Sequence, residues 1–107
     1  MEPVEVSPAV LAQARGLFPP GGSVDGRPSF EMWRDGPLEA VRQLFGSIFD
    51  ELPDDTDLPG VKYWQTIRTP LFEPMGFFAV RDTNGQIEIY GFFEETGYSA
   101  LVDDDPE

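Results

Sequence analysis

The side chains that could do chemistry in this sequence are carboxylates, because other residue types common in active sites are missing. The chain contains no Cys and no His, which excludes disulfides, thiolate nucleophiles, and imidazole as a base or metal ligand. Glu88 and Glu94 fall on one face of a predicted strand. Paired carboxylates can act as general acid and base. The same spacing equally fits a strand with one solvated face, so it predicts no particular reaction.

Two clusters of aspartate offer the oxygen ligands that a hard cation needs. One is formed by Asp54, Asp55 and Asp57, and the other by residues 103–105. Neither has the spacing of a calcium-binding loop, and the first lies between two prolines. The glycine-rich segment GGSVDG lacks the Lys-Ser or Lys-Thr pair of a phosphate-binding loop. The sequence therefore predicts no metal site and no cofactor.

The chain is strongly acidic, which limits the partners that it can attract. Twenty acidic residues stand against seven basic ones, a formal net charge of −13. Such a field repels nucleic-acid phosphates and anionic membranes, so we expect neither direct nucleic-acid binding nor membrane association. Two explanations of the charge stay open: solubility alone, or attraction to a basic partner, including mimicry of a nucleic acid. The sequence shows no signal peptide and no long apolar run, so we expect a cytoplasmic protein.

Length and composition predict one globular domain. The chain has 107 residues, of which 40% are hydrophobic and nine are Phe, and this is sufficient for a single core. No internal repeat or linker divides the sequence, so we expect one domain over residues 1–107. The last five residues, 103–107, are predicted to be frayed, because they form an acidic chain end.

The strongest local signal is a hairpin in residues 76–95, GFFAVRDTNGQIEIYGFFEE, with Asn84-Gly85 in its tight turn. Two amphipathic helices are predicted before it, over residues 8–18 and from Asp35 to Leu52, each with a proline near its start. Strands are predicted over residues 3–6 and 61–68. The order β-α-α-β-β-β indicates an α+β fold, in which two helices pack on one face of a small antiparallel sheet.

We also expect aromatic side chains on the sheet face that the helices leave open, with carboxylates at their rim. The predicted set is Trp64, Phe77, Glu88, Tyr90, Phe92 and Glu94. Exposed aromatic residues surrounded by charge are typical of a protein-binding surface. The alternative is that residues 71–75, or the segment around Tyr98 and Leu101, fold over these side chains and bury them.

The element order resembles that of the RelE/ParE superfamily of small bacterial toxins. VEVSPAVLAQARGL is similar to the opening strand and first helix of that group, and GPLEAVRQLFGSIFDELP to its second helix. PGVKYWQTIR and the hairpin segment are similar to its final sheet. The resemblance covers most of the chain and implies a toxin–antitoxin setting in a bacterium.

The resemblance also implies candidate catalytic residues. In the ribonuclease members of the superfamily, basic residues on the exposed sheet face bind messenger RNA, often beside a tyrosine near the C-terminus. The positions here that match are Lys62, Arg68, Arg81 and Tyr98. The chain departs from the family pattern because it is acidic and ends its last strand with Glu94-Glu95. Phosphoryl transfer needs preorganised positive charge, so the gyrase-poisoning branch, which acts by protein contact, fits these residues better.

These observations together predict a non-enzymatic protein–protein interaction domain in a toxin–antitoxin-like setting. Two alternatives remain open. The first is an acidic inhibitor that mimics nucleic acid and blocks a basic nucleic-acid-handling protein. The second is a RelE-like endoribonuclease that uses the four residues named above. The oligomeric state does not follow from the sequence.

Overall fold

The computed structural model describes residues 1–22, 26–55 and 57–94, and these residues form a five-stranded sheet with helices on one face. The strands are β1 (Val4–Val6), β2 (Asp54–Asp55), β3 (Leu58–Gln65), β4 (Met75–Arg81) and β5 (Ile87–Glu94). The helices are α1 (Pro8–Leu17), α2 (Phe30–Trp33) and α3 (Glu39–Ile48). The predicted α+β class is confirmed. Tyr98 and the predicted frayed end at residues 103–107 lie outside the described residues.

Short-range signals set the helix starts. The Ser7 side chain accepts a hydrogen bond from the Val10 amide, with Pro8 at the first helical position of α1. Ser29 caps α2 in the same way, through the Met32 amide. A π-helical turn at Arg34–Leu38 joins α2 to α3, so the helical path begins before the predicted start at Asp35. Because a proline inside a helix has no N–H to donate, a wider turn around Pro37 lets the chain stay helical.

The sheet is mixed, and its order is β1-β5-β4-β3-β2. The last four strands pair in antiparallel fashion, whereas β1 joins the edge of β5 in parallel. The sheet therefore differs from the wholly antiparallel one that the element order suggested. The predicted tight turn between β4 and β5 is present, with Gly85 at a φ of 82° and the Asp82 carboxylate accepting the Asn84 and Gln86 amides.

An extra residue in β5 decides which side chains of that strand face the helices. Ala79 of β4 pairs with Ile89, but the neighbouring Phe78 pairs with Gly91, so the register passes over Tyr90. This β-bulge reverses the alternation of every later side chain in the strand. The regular alternation predicted for β5 is therefore wrong beyond Tyr90, because Phe92 turns towards the helices.

Helices and sheet meet in an aromatic core centred on Trp33. Its ring is fully buried and lies between 5.2 and 6.4 Å from the ring centroids of Phe18, Phe30, Phe77 and Phe92. Aromatic pairs at such separations add to the stability that burial alone provides. No helix within the described part of the chain has the length and hydrophobicity needed to cross a lipid bilayer.

Candidate functional site

Two of the aromatic residues predicted on the open sheet face are core residues. Phe77 is 0% exposed and Phe92 is 5% exposed. They are directly opposite each other in the β4–β5 register and stack with ring centroids 5.6 Å apart. Both predicted open-face positions are wrong, for different reasons. The bulge at Tyr90 turns Phe92 towards the helices. Phe77 faces the helices because β4 alternates regularly, and it therefore lies on the same side as the buried Ala79.

Trp64 and Glu94 also lie on the helix side of the sheet and not on the open face. Trp64 is opposite Phe77, and Glu94 is opposite Met75; directly opposed residues share a face. The largely buried Glu94 carboxylate accepts hydrogen bonds from Arg27 at 3.1 and 3.2 Å. Trp64 is still 39% exposed, because β2 does not extend along this part of β3.

The open face does carry an aromatic cluster, but most of its members differ from those predicted. Glu88 and Tyr90 lie there as expected, together with three rings that the prediction missed. We call the four rings Tyr63, Phe78, Tyr90 and Phe93 the open-face cluster. Tyr63 lies 5.0 Å from Phe78 and 6.3 Å from Phe93, centroid to centroid. Tyr90 and Phe93 are 40% and 37% exposed.

Two glycines explain why rings gather on that face. A Cβ atom at Gly76 would lie 2.5 Å from the Tyr63 hydroxyl and 2.6 Å from a Phe93 ring carbon. At Gly91 it would lie 3.8 Å from the Phe78 ring. Rings that lie across bare glycine backbone protect a sheet where no side chain of its own can do so. The open-face cluster therefore has a role in the fold, and glycines inside the hairpin were the sequence signal for it.

Lys62, the first of the candidate catalytic cations, is buried and fully engaged. Its Nζ donates to the Leu52 carbonyl at 2.6 Å and to the Asp54 carboxylate at 2.7 Å. The hydrogen bond from Lys62, helped by the Gly60 amide, holds the pKa of Asp54 below its ordinary value. The Lys62 side chain is about nine-tenths buried and its ammonium already has two strong acceptors, so little of it is left to contact a phosphate.

Arg81, the second candidate cation, forms a clasp between three parts of the chain. Its guanidinium donates to Glu2 at 2.7 and 2.8 Å, to Asp50 at 2.8 and 3.2 Å, and to the Gly85 carbonyl at 2.7 Å. The hydrogen bonds that Arg81 donates to Glu2 and Asp50 raise the pKa of Arg81 and lower the pKa of both carboxylates. This arrangement joins the N-terminal segment, the 3₁₀ turn Phe49–Glu51 that follows α3, and β4.

The remaining candidates do not complete a catalytic group. Arg68 follows β3 and forms an ion pair with Glu73, while Tyr98 lies outside the described residues. The loop from Arg68 to Glu73 returns the chain to Met75 at one end of β4, and Arg81 is at its other end. Six residues of strand span about 20 Å. Arg68 and Arg81 are therefore too far apart to bind one phosphate together.

Ion pairing extends to almost every basic side chain. Six of the seven cations form ion pairs with carboxylates in the part of the chain that the structure describes. The seventh, Arg15, lies over the Phe30 ring at 4.5 Å. No group of three or more His, Cys, Asp or Glu side chains within residues 1–22, 26–55 and 57–94 could hold a metal ion. Neither a phosphate-binding cluster nor a metal centre is formed by these residues.

A further candidate site, formed by described residues, is an apolar groove between α3 and the end of β3. Two adjoining cavities of about 380 and 360 Å³ form it. Its walls include Pro37, Ala40, Leu44, Trp64, Ile67 and Phe72. Ile67 is 80% exposed, although burying such a side chain is worth about 1.5–3 kcal/mol. We call this feature the β3 groove. With few polar groups in its walls, it is suited to binding apolar side chains and not to acid–base chemistry.

Comparisons with protein-family models, with curated proteins and with solved structures found no match to this chain. The resemblance to the RelE/ParE superfamily therefore stays a prediction from element order and sequence pattern. The functional argument rests on the geometry of the described residues, above all on the engaged cations and the β3 groove.

Proposed function

We propose that this chain is a small protein-binding domain that acts by contact and not by catalysis. The observation that carries the proposal is the β3 groove, where Trp64 and the strongly exposed Ile67 form apolar walls at the margin of the sheet. Apolar surface that a fold leaves uncovered, next to a cavity, is typical of a surface that another protein covers.

The position of the groove supports this proposal. Trp64 continues the helix face of the sheet beyond the buried Phe77, and Ala40 and Leu44 of α3 form the facing wall. At this margin of the sheet, the apolar packing between sheet and α3 is therefore continuous with side chains that solvent can reach, such as Trp64. A partner side chain placed between Trp64 and α3 would complete the packing there, which is how central anchor residues contribute most of the energy in protein interfaces.

The state of the cations favours contact over RNA cleavage. Lys62 and Arg81 would have to leave Asp54, Glu2 and Asp50 before they could meet a phosphate. The net charge of −13 opposes the approach of RNA at long range as well. The toxin–antitoxin-like setting and the RelE/ParE label belong to this proposal and rest on the resemblance alone.

A pull-down from bacterial lysate with matched variants tests the proposal. Trp64→Ala removes a groove wall, and Tyr90→Ala removes a ring of equal exposure on the opposite face of the sheet. We expect a protein partner that stays bound at high salt to wild-type and Tyr90→Ala protein and to be lost from Trp64→Ala.

Two other results would contradict the proposal. A purified protein that cleaves RNA, with activity lost in Arg68→Ala or Arg81→Ala, would favour the RelE-like ribonuclease. A basic nucleic-acid-handling partner that leaves as salt rises, and that binds Trp64→Ala as well as wild type, would favour the acidic inhibitor.

A further inference from the structure

We infer that the partner of the β3 groove is an extended, basic polypeptide segment that adds a strand to the open edge of β3. This inference rests on the proposed function and specifies how the groove is filled. Strand addition obtains affinity from main-chain hydrogen bonds and specificity from alternate side chains. The β3 margin combines an open strand edge, an apolar groove beside it and acidic side chains at one end.

Among the described residues, the edge of β3 is open beyond Lys62. β2 pairs with β3 through Asp54 and Asp55 only, and the preceding Pro53 has no N–H with which to continue the ladder. Past Lys62, no strand of the described residues lies on this side of β3. The Thr66 amide donates to the Met75 carbonyl at 2.8 Å. Since neighbouring residues of a strand direct their backbone groups to opposite sides, the N–H and C=O of Gln65 point to the open edge.

The groove lies where the side chains of an added strand would fall. Alternate side chains of such a strand would extend onto the helix side of the sheet. That side is occupied by Trp64 and, across the cavity, by Ala40 and Leu44 of α3. Every second residue of the bound segment should therefore be apolar, and the exposed Ile67 side chain would be covered at the same time.

The negative charge of this chain favours a basic segment as the occupant of the open edge and disfavours a second copy of the chain in that position. Asp54 of β2 lies opposite Lys62, where the open edge begins. Glu51, Asp55 and Asp57 flank it along the chain, and none of the three has an ion-pair partner among the described residues. Lys or Arg side chains at the end of the bound segment nearest β2 would approach this acidic stretch. Two copies of a chain with a net charge of −13 would repel each other instead.

The first experiment is selection from a phage-displayed library of random linear decapeptides against the immobilised full chain. We expect enriched peptides with apolar residues at alternate positions and Lys or Arg at one end. Synthetic versions are then titrated into the Trp33→Phe variant, where Trp64 fluorescence reports occupation of the groove. An N-methyl group on the peptide amide that pairs with Gln65 should weaken binding about tenfold or more, because it removes a main-chain donor.

A matched pair of variants tests the edge from the protein side. Gln65→Pro removes the outward N–H and places a ring there, a substitution that edge strands tolerate; Gln65→Ala keeps the N–H. We expect the first to abolish peptide binding and the second to retain it, with both folded by circular dichroism. If Gln65→Pro does not fold, the N-methylated peptides give the same information with unaltered β3.

The outcomes separate the inference from the proposed function. Enriched peptides that depend on Ile67 but tolerate N-methylation would overturn strand addition and leave the groove as a binding site. Enriched acidic peptides would overturn the charge argument. A library that yields no peptide dependent on Trp64 or Ile67 would overturn the inference, and a Trp64-dependent partner in lysate would show that the proposed function still holds.

Discussion

Phe49 has two cations against its ring, and they show how this chain uses its few basic residues. Lys62 Nζ lies 5.6 Å and Arg81 Cζ 5.1 Å from the ring centroid, and both side chains also bind carboxylates. Cation–π contacts add an attraction between the ring and the cation that is modest at exposed sites and larger where water is excluded. Lys62 and Arg81 thus close one end of the core, where the resemblance to a ribonuclease would require them to face RNA.

At the residue scale, Arg81→Gln should lower the free energy of unfolding at neutral pH and have less effect in acid. The folded pKa values of Glu2 and Asp50 are lowered by hydrogen bonds from Arg81. A lowered folded pKa contributes stability above the unfolded pKa, and that contribution is lost as the pH falls through the folded value. Urea unfolding of wild type and variant at pH 7 and at about pH 3 measures the difference, since ordinary carboxylates titrate near pH 4.

Arg34→Gln is the control for this prediction. Arg34 binds only its exposed sequence neighbour Asp35 among the described carboxylates, so it joins no distant parts of the chain. Exposed ion pairs of this kind contribute little. An Arg81→Gln effect that is equal at both pH values, or no larger than that of Arg34→Gln, would contradict the clasp described here.

At the element scale, the parts that sequence could predict are those set by near neighbours. The caps at Ser7 and Ser29 and the turn at Gly85 depend on residues within a few positions. The bulge at Tyr90 does not, because it is fixed by how β4, β5 and the helices pack together. Because the sequence did not predict this bulge, Phe92 and Glu94 were predicted on the wrong face of the sheet. The β3 groove likewise depends on where β2 ends, which no local pattern specified.

Gly46 is a second position at which the sequence alone does not decide the structure. A glycine in α3 either weakens the helix or allows another segment to approach it closely. A Cβ atom there would collide with the Glu2 carbonyl oxygen and lie 2.8 Å from a Met1 side-chain carbon. The Gly46 carbonyl accepts a hydrogen bond from the Glu2 amide at 2.8 Å. The structure therefore shows close approach: the N-terminal segment lies directly on the helix.

We expect Gly46→Ala to destabilise the protein, although alanine is the better helix former. Helix propensity alone would favour alanine by about 1 kcal/mol, but the new methyl group would displace the N-terminal segment from α3. Gly16→Ala in α1 is the matched control, because nothing lies within 4 Å of its added Cβ. It should stabilise by roughly 0.5–1 kcal/mol. Thermal and urea unfolding would measure both, and an equal gain from the two substitutions would contradict the close approach.

At the scale of the whole molecule, negative charge is in large excess, whereas the β3 groove is a localised apolar surface. The acidic side chains outnumber the basic ones, and six of the seven cations already form ion pairs within the part of the chain that the structure describes. The excess carboxylates repel other negative charges at long range, whereas the β3 groove is apolar and is the place where the proposed function puts a partner. The same charge that would select a basic segment also opposes the folded state through self-repulsion.

Added salt should therefore raise the melting temperature of this protein. Salt shortens the screening length from about 30 Å at 0.01 M to about 3 Å at 1 M, which weakens repulsion among the excess carboxylates across the molecule. It also weakens the ion pairs, but exposed pairs are worth only about 0–1 kcal/mol each. Calorimetry in increasing NaCl measures the balance. The triple variant Glu51→Gln, Asp55→Asn, Asp57→Asn should show a smaller rise, because less repulsion remains to be screened. A melting temperature that falls with salt would mean that the ion pairs, above all the Arg81 clasp, outweigh the net charge.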